Sequence, residues 1–306
     1  MKISIVTPTR ALDHFLEEAR AALRRQTADV EIEHVVVVDD GKAALPPDQI
    51  TGNVHTLFLH NAGGRGPGGA RNTGLERVSG AFVFFLDADD IWEDDYVERV
   101  LSVYAGHPEV DCVSVAGLSF GEHIQHPRAN IPLLPQGIID RCAVAWNPVG
   151  CPSGFSYRQN MITRDVRFKD AIYFQDLILY LDLLRLGAVF WRENSVRYWY
   201  RRSPGQLTSG TATETVRESE AVVHRNIAAW RDAGLSGWEA AVASVQIRRL
   251  SANRRRRRNY GSTLLLMLMA PSWVAGQIRR LRENARLAKG RVEPVPSDGA
   301  CASPGV

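Results

Sequence analysis

Asp87 and Asp89 close an apolar run in FLDADD at residues 85–90, and in extended chain two residues so spaced point to the same side. Such a pair suits a hard divalent cation, Mn²⁺ or Mg²⁺, which takes few protein oxygens and fills its shell with water and phosphate. The same residues also read as a solvated acidic turn, with Asp89 or Asp90 capping a helix ahead of Trp92. A second acidic pair, Asp39 and Asp40, ends another apolar run before Gly41, where an Asx turn is the plain alternative. A third run ends in Thr7, Pro8, Thr9 and Arg10, which could equally be a strand end before a capped helix. Between them HNAGGRGPGGARNTGL, residues 60–75, holds six glycines from Gly63 to Gly74. A loop of that kind lets backbone approach a phosphorylated ligand, with Arg65 and Arg71 to neutralise charge, or it is simply wide. Gly64, Gly66 and Gly69 also satisfy the dinucleotide spacing G-x-G-x-x-G, with Asp87 on the following run. That rival implies a nicotinamide-dependent oxidoreductase, although the glycines follow the third apolar run and leave Asp39 and Asp89 unexplained.

These groups need a scaffold that brings them together. Continuous apolar runs at residues 2–7, 33–39, 54–60, 81–86 and 110–118 read as strands covered on both faces. Helical patterns fall at 12–25, 69–79 and 93–105, giving the order βαββαβαβ and an α/β fold with a parallel-rich sheet. In such a sheet ligands meet the carboxyl ends of the strands, where the polar groups fall. Residues 121–150 read as a long loop with four prolines and the weak H-x-x-H of His123 and His126. A helix follows at 174–186, then strand-like pieces at 188–192 and 196–201. After Gly210 the pattern is helical, and Thr211 with Glu214 and Ser236 with Glu239 have capping-box spacing.

Taken in order, IVTPTR, VVVDDG, an Asn61-x-Gly ahead of GGARNTGL, and GAFVFFLDADD resemble the nucleotide-sugar-dependent glycosyltransferases of family 2, which have the GT-A fold. Downstream, YFQDLILYLDLLRLGA resembles that family's E-D segment and VRYWYRRSPGQLTS its closing strand and loop. The resemblance implies a catalytic domain over 1–210, with a nucleotide-sugar half over about 1–120 and an acceptor half over about 121–210. It implies that Thr7, Pro8, Arg10, Asp39, Asp40, Asn61 and Arg71 surround the nucleoside, with Asp87 and Ala88 by the ribose and metal. Asp89 would bind the metal at the diphosphate, and Asp176 would be the general base of an inverting transfer. Read from the residues alone, Arg201 and Arg202 could close on the diphosphate or be solvated strand residues, and Asp176 could equally be a helix N-terminal acid held by the dipole. Trp92 and Gln175 are the acceptor-side candidates. The expected donor is a UDP-sugar and the acceptor a glycan, a lipid-linked or a small molecule, in cell-envelope or glycan biosynthesis. Three positions depart from the family: Gln175 where it usually has Glu, Asp182 where it often has Arg, and Ser203 where many members have a histidine near the metal. The Q-x-x-R-W motif of processive synthases is absent, which points to transfer of one sugar.

The 306 residues, 45% hydrophobic and 23% charged, exclude disordered, collagenous and disulfide-scaffold readings. Cys112, Cys142, Cys151 and Cys301 have no metal-ligand spacing, and MKISIVTPTR reads as a strand rather than a secretory signal, so the expected location is the cytoplasm. The net charge of +3 conceals an acidic body and a basic end: residues 248–291 hold thirteen Lys and Arg against the single acid Glu283. Residues 211–290 therefore read as a helical basic extension and 291–306 as a disordered tail. With pentaarginine 254–258 and an apolar run at 264–270, residues 254–290 either pack on the body with arginines in water or meet an anionic membrane at the inner face of the plasma membrane. A non-catalytic anionic-surface binder is a further rival, and specific nucleic-acid recognition is not expected.

Overall fold

In a computed structural model of the chain, the five apolar runs all become strands of one sheet. The structure describes residues 1–41, 44–64, 66–121, 124–146, 149–162, 166–203, 213–231, 233–255 and 259–289, of Val196 only the backbone. Arg65, His123, residues 204–210, Thr211, Arg256 to Arg258 and residues 291–306 with Cys301 lie outside them. The elements in chain order are β1 (Lys2–Thr9), α1 (His14–Arg24), β2 (Glu31–Val38), β3 (Gln49–Thr51), β4 (Val54–His60), α2 (Gly66–Leu75), β5 (Phe82–Phe85), β6 (Ile91–Trp92), α3 (Tyr96–Gly106) and β7 (Cys112–Phe120). They continue with β8 (Arg128–Ala129), β9 (Gly137–Ile138), α4 (Arg141–Ala145), β10 (Phe155–Arg158), α5 (Gln175–Arg185), β11 (Phe190–Arg201), α6 (Thr213–Arg231), α7 (Gly237–Arg254), α8 (Tyr260–Met269) and α9 (Pro271–Lys289).

The sheet order is β3-β4-β2-β1-β5-β10-β7-β11-β6. β4, β2, β1 and β5 run parallel, β10 opposes β5 and β7, and β11 is parallel to β7. The mixed, mostly parallel sheet therefore points β4, β2, β1, β5, β7 and β11 at one carboxyl edge. Alternation along the strands divides the core between its faces: Phe84 and Leu86 pack with α3 residues Tyr96, Val97 and Val100, whereas Val83 and Phe85 pack with α5 residues Leu177, Tyr180 and Leu181.

Several expectations are corrected in detail. The stretch 121–150 contains β8, β9 and α4 and buries Trp146 completely. The two pieces expected near 188–201 are one strand, β11, with a register shift between Glu193 and Tyr198. Neither Asp89 nor Asp90 caps a helix: Ile91 and Trp92 pair with Trp199 and Tyr198, and α3 starts later, after Asp95. The capping box is complete at α7, where Ser236 Oγ accepts from the Glu239 amide at 3.2 Å and Glu239 returns a carboxylate to the Ser236 amide at 2.9 Å.

Candidate functional site

The polar ends of the central strands converge at the carboxyl edge of the sheet. Asp39 follows β2, with its amide donating to Thr9 O at 2.8 Å beyond β1. Its carboxylate accepts from Asn61 Nδ2 at 2.5 Å and from the Gly66 amide at 2.8 Å. Asp39 thus sits on the first turn of α2, where the helix dipole favours negative charge. That geometry also weighs against the dinucleotide reading, because the Gly66 amide a pyrophosphate would use already donates to a side chain. Gly69 is pressed so closely on the loop that an added Cβ would lie 2.0 Å from Gly64 O. Gly64 and Gly66 have φ of +100° and +83°, conformations that demand glycine.

One turn further along α2, Arg71 is 3% exposed, forms an ion pair with Asp87 and places its guanidinium 5.2 Å above the Phe168 ring. Asp87 leaves β5 with its amide donating to Ser153 Oγ at 2.9 Å. Residues 87–90 do not continue as extended chain. The Asp90 amide donates to Asp87 O at 3.0 Å, closing a turn, so the same-side placement expected of an extended chain does not hold for Asp87 and Asp89. Asp87 and Asp89 are half-buried and Asp90 is fully buried. Burial, together with the nearby Asp89 and Asp87, holds the Asp90 carboxyl well above the usual range, although Ser153 and the Arg201 amide hydrogen-bond to it. Among the described residues no group of three or more His, Cys, Asp or Glu converges as a metal site.

Across the edge, α5 begins with Gln175 and Asp176 directly after Phe174, which has φ of 64°. A bulky residue in the left-handed region is strained, and such strain is found where a site over-determines its backbone. Gln175 is 7% exposed, its Oε1 lies against Gly68 of α2, and that oxygen has no hydrogen-bond partner among the described residues. Asp176 is half-buried and accepts from the Leu177 amide at 2.8 Å. Burial raises its carboxyl above the ordinary range, while the Leu177 amide and then the Arg71 and Arg254 cations pull it back. Arg71 therefore acts electrostatically on Asp87 and Asp176 together.

Other expected residues are placed differently. Thr7 is completely buried, its hydroxyl 2.9 Å from His34 Nε2, and Pro8 is buried in β1, so neither side chain is open to a ligand. Trp92 is corrected from an acceptor-site candidate to a core residue: it is 0% exposed, stacks on Tyr96 at 4.2 Å and donates Nε1–H to Ser153 O at 2.8 Å. Arg201 Nε donates to Asp89 O at 2.9 Å and its guanidinium pairs with Glu18 of α1. Asp182 turns away from the edge into a buried pair with Arg185 at 2.8 Å. Arg10 and Asp40 are exposed, and Ala88 and Ser203 are half-buried. Ser153 went unnoticed in the sequence, yet it bonds to Asp87, Asp90, Trp92 and Tyr96. Two concavities elsewhere, of about 410 and 720 Å³, touch none of these carboxylates.

Comparison with known proteins identifies the family and the fold. The family profile described as Glycosyl transferase family 2 matches residues 4–164. The chain is 34% identical over 112 residues to the uncharacterized glycosyltransferase alr2836 of Nostoc sp., covering 34% of this chain and 33% of that protein. It is 26% identical over 215 residues to TuaG of Bacillus subtilis (strain 168), named as a candidate teichuronic acid biosynthesis glycosyltransferase, covering 68% of this chain and 81% of TuaG. The match to alr2836 thus spans about a third of that relative's length. Among solved structures, S. aureus TarS 1-349 in complex with UDP-GlcNAc superposes with a TM-score of 0.62 over 93% of this chain and 82% of that one, at 17% identity, which establishes a shared fold.

Proposed function

The chain belongs to glycosyl transferase family 2, and we propose that it moves one sugar from a nucleoside-diphosphate donor, a UDP-sugar, to an acceptor hydroxyl with inversion at the anomeric carbon. The observation that carries this reading is the position of Arg71, one buried cation paired to Asp87 and within electrostatic reach of Asp176. The UDP-GlcNAc complex of the fold neighbour TarS supports the donor class, and the name of TuaG supports a cell-envelope glycan as product. Asp39 and Asn61 hold the nucleoside, and Asp87, with Ala88 beside it, meets the ribose. Asp176 takes the proton of the acceptor hydroxyl as that oxygen bonds to the anomeric carbon. The bond from that carbon to the diphosphate breaks, and its electron pair stays on the phosphate oxygen. Attack opposite the leaving group inverts the centre. Arg201 neutralises the diphosphate by exchanging its pairing with Glu18.

A divalent cation, Mn²⁺ or Mg²⁺, fits the turn at 87–90. The donors there are half-buried carboxylate oxygens, the ligand type a hard divalent ion takes. Asp89, with Asp87, would hold it, and once bound it would stabilise negative charge on the leaving diphosphate.

The test is Asp176→Asn. The substitution keeps the shape and removes the base, so kcat should fall by about 10²- to 10⁴-fold with little change in donor KM. Because burial raises the Asp176 carboxyl, wild-type activity should be lost on acidification at a pH above the ordinary carboxylate range, and the variant should lack that limb. Equal turnover of the two proteins across a panel of nucleotide sugars would remove the assignment. Thermal stabilisation by NAD but not by UDP with Mn²⁺ would restore the oxidoreductase reading.

A further inference from the structure

α8 is attached to the body through Leu266, which is 0% exposed, whereas Tyr260, Leu264, Leu265, Met267 and Leu268 are 43–72% exposed. Residues 260, 264, 267 and 268 follow helical spacing and form one apolar stripe facing water. α9 is fixed to the body along its other side. Gly276 O accepts from the Leu133 amide at 3.1 Å, Asn284 Oδ1 from the Ala129 amide at 2.8 Å and Ser272 Oγ from Trp146 Nε1 at 3.1 Å. Its outer side carries Ile278 and Leu281, 45% and 68% exposed. Beside them Arg279, Arg282 and Arg286 line a concavity of about 410 Å³ together with Leu134 and Arg197, with Glu283 as the one acid in its described lining. α8 and α9 meet at 108°, and among the described residues no single helix is long and apolar enough to cross a membrane.

We propose that α8 and the outer side of α9 dock the protein on an anionic lipid bilayer, the α8 leucines entering the headgroup–acyl boundary and the α9 arginines holding lipid phosphates. Charge complementarity commits the surface to this occupant. Residues 248–291 carry thirteen basic side chains against one acid, so a two-fold contact between copies through the same face would set arginine against arginine. Lipid phosphate supplies the opposite charge and the acyl boundary supplies the apolar phase. The inference is independent of the sugar-transfer reading, since none of these residues belongs to the sheet edge.

Flotation of the full chain with vesicles of phosphatidylcholine alone, and of phosphatidylcholine with phosphatidylglycerol, tests it. The wild type should float with the anionic vesicles, and less so as salt rises. The double variant Leu264→Glu, Leu268→Glu should lose binding. The triple variant Arg279→Ala, Arg282→Ala, Arg286→Ala should weaken it by about fivefold per charge, on the order of 100-fold in all. The altered side chains are exposed, with Arg279 also reaching Leu133 O at 3.4 Å and Arg286 Glu283 at 3.6 Å, so an unchanged thermal midpoint and circular dichroism spectrum will confirm folding. Transfer to a water-soluble acceptor should be unchanged in both variants, which keeps this outcome separate from that of Asp176→Asn. Failure of the folded wild type to float, or equal flotation with neutral vesicles that ignores the arginine variant, would overturn the proposal. So would a sedimenting dimer that Leu264→Glu, Leu268→Glu dissociates, because a second copy would then own the surface.

Discussion

At Arg71 one buried cation pairs with Asp87 and, together with Arg254, opposes the burial that raises the Asp176 carboxyl. Replacing Arg71 by Gln keeps a polar side chain but removes the charge, so Asp176 should hold its proton to higher pH. The acid limb of kcat should then move upward, and a limb that stays in place would show that Arg71 does not act on the base. Asp39, Asn61, Arg71 and Asp87 were legible in the sequence because each lies at the end of an apolar run or in a glycine-rich segment. Ser153 and Asp90 were not. A serine after Pro152 has no spacing signal, and its four contacts exist only because Pro152–Gly154 forms a 3₁₀ turn beneath the turn at residues 87–90. Trp92 was misread for a related reason: beside acidic residues an aromatic suggests a rim, whereas pairing of β6 with β11 pulls it inward.

Elements with long, unbroken apolar runs were the easiest to read, since burial on both faces leaves no polar interruption. β1, β2, β4, β5 and β7 all match such runs. In the sequence of β11 Glu193, Asn194 and Ser195 interrupt the apolar pattern, and the strand's register shift falls between Glu193 and Tyr198. β10 was missed because FSYR is too short to show a period. Its position is set by the turn before it, where there is no room for a side chain: a Cβ on Gly154 would lie 2.5 Å from the Tyr198 ring and 2.6 Å from Val115 O. Gly154→Ala should therefore lower stability by about 1–3 kcal/mol in urea unfolding, and it should reduce turnover by displacing Ser153. Gly106→Ala, at the end of α3 with nothing near its added Cβ, is the matched control and should leave both unchanged. A Gly154→Ala protein as stable as wild type would mean that the turn yields without cost.

Over the whole molecule, acid sensitivity should follow from His34, completely buried between Thr7 and Thr56. Burial, with the nearby Arg20 and Arg24 charges, brings its pKa down from 6.5 to about 3. Between those values the unfolded chain binds the proton and the folded one does not, so this contribution is full above pH 6.5 and falls as pH drops toward 3. From pH 7 to pH 5 the loss should be about 2 kcal/mol, read as the difference in unfolding free energy between wild type and His34→Gln. An identical pH dependence in the two proteins would contradict it.

The antiparallel β10 has a further consequence for how the chain acquires this form. Ser156 pairs with Phe84 and Tyr157 with Cys112, so a strand made after both β5 and β7 is the wedge joining them. Until residue 158 has emerged during synthesis β5 presents a raw edge, and β7 keeps one until β11 follows, the kind of surface that adheres to other chains. Assembly is bound to the slow closure of long loops, and the interval before β10 arrives is when a nascent copy most needs protection.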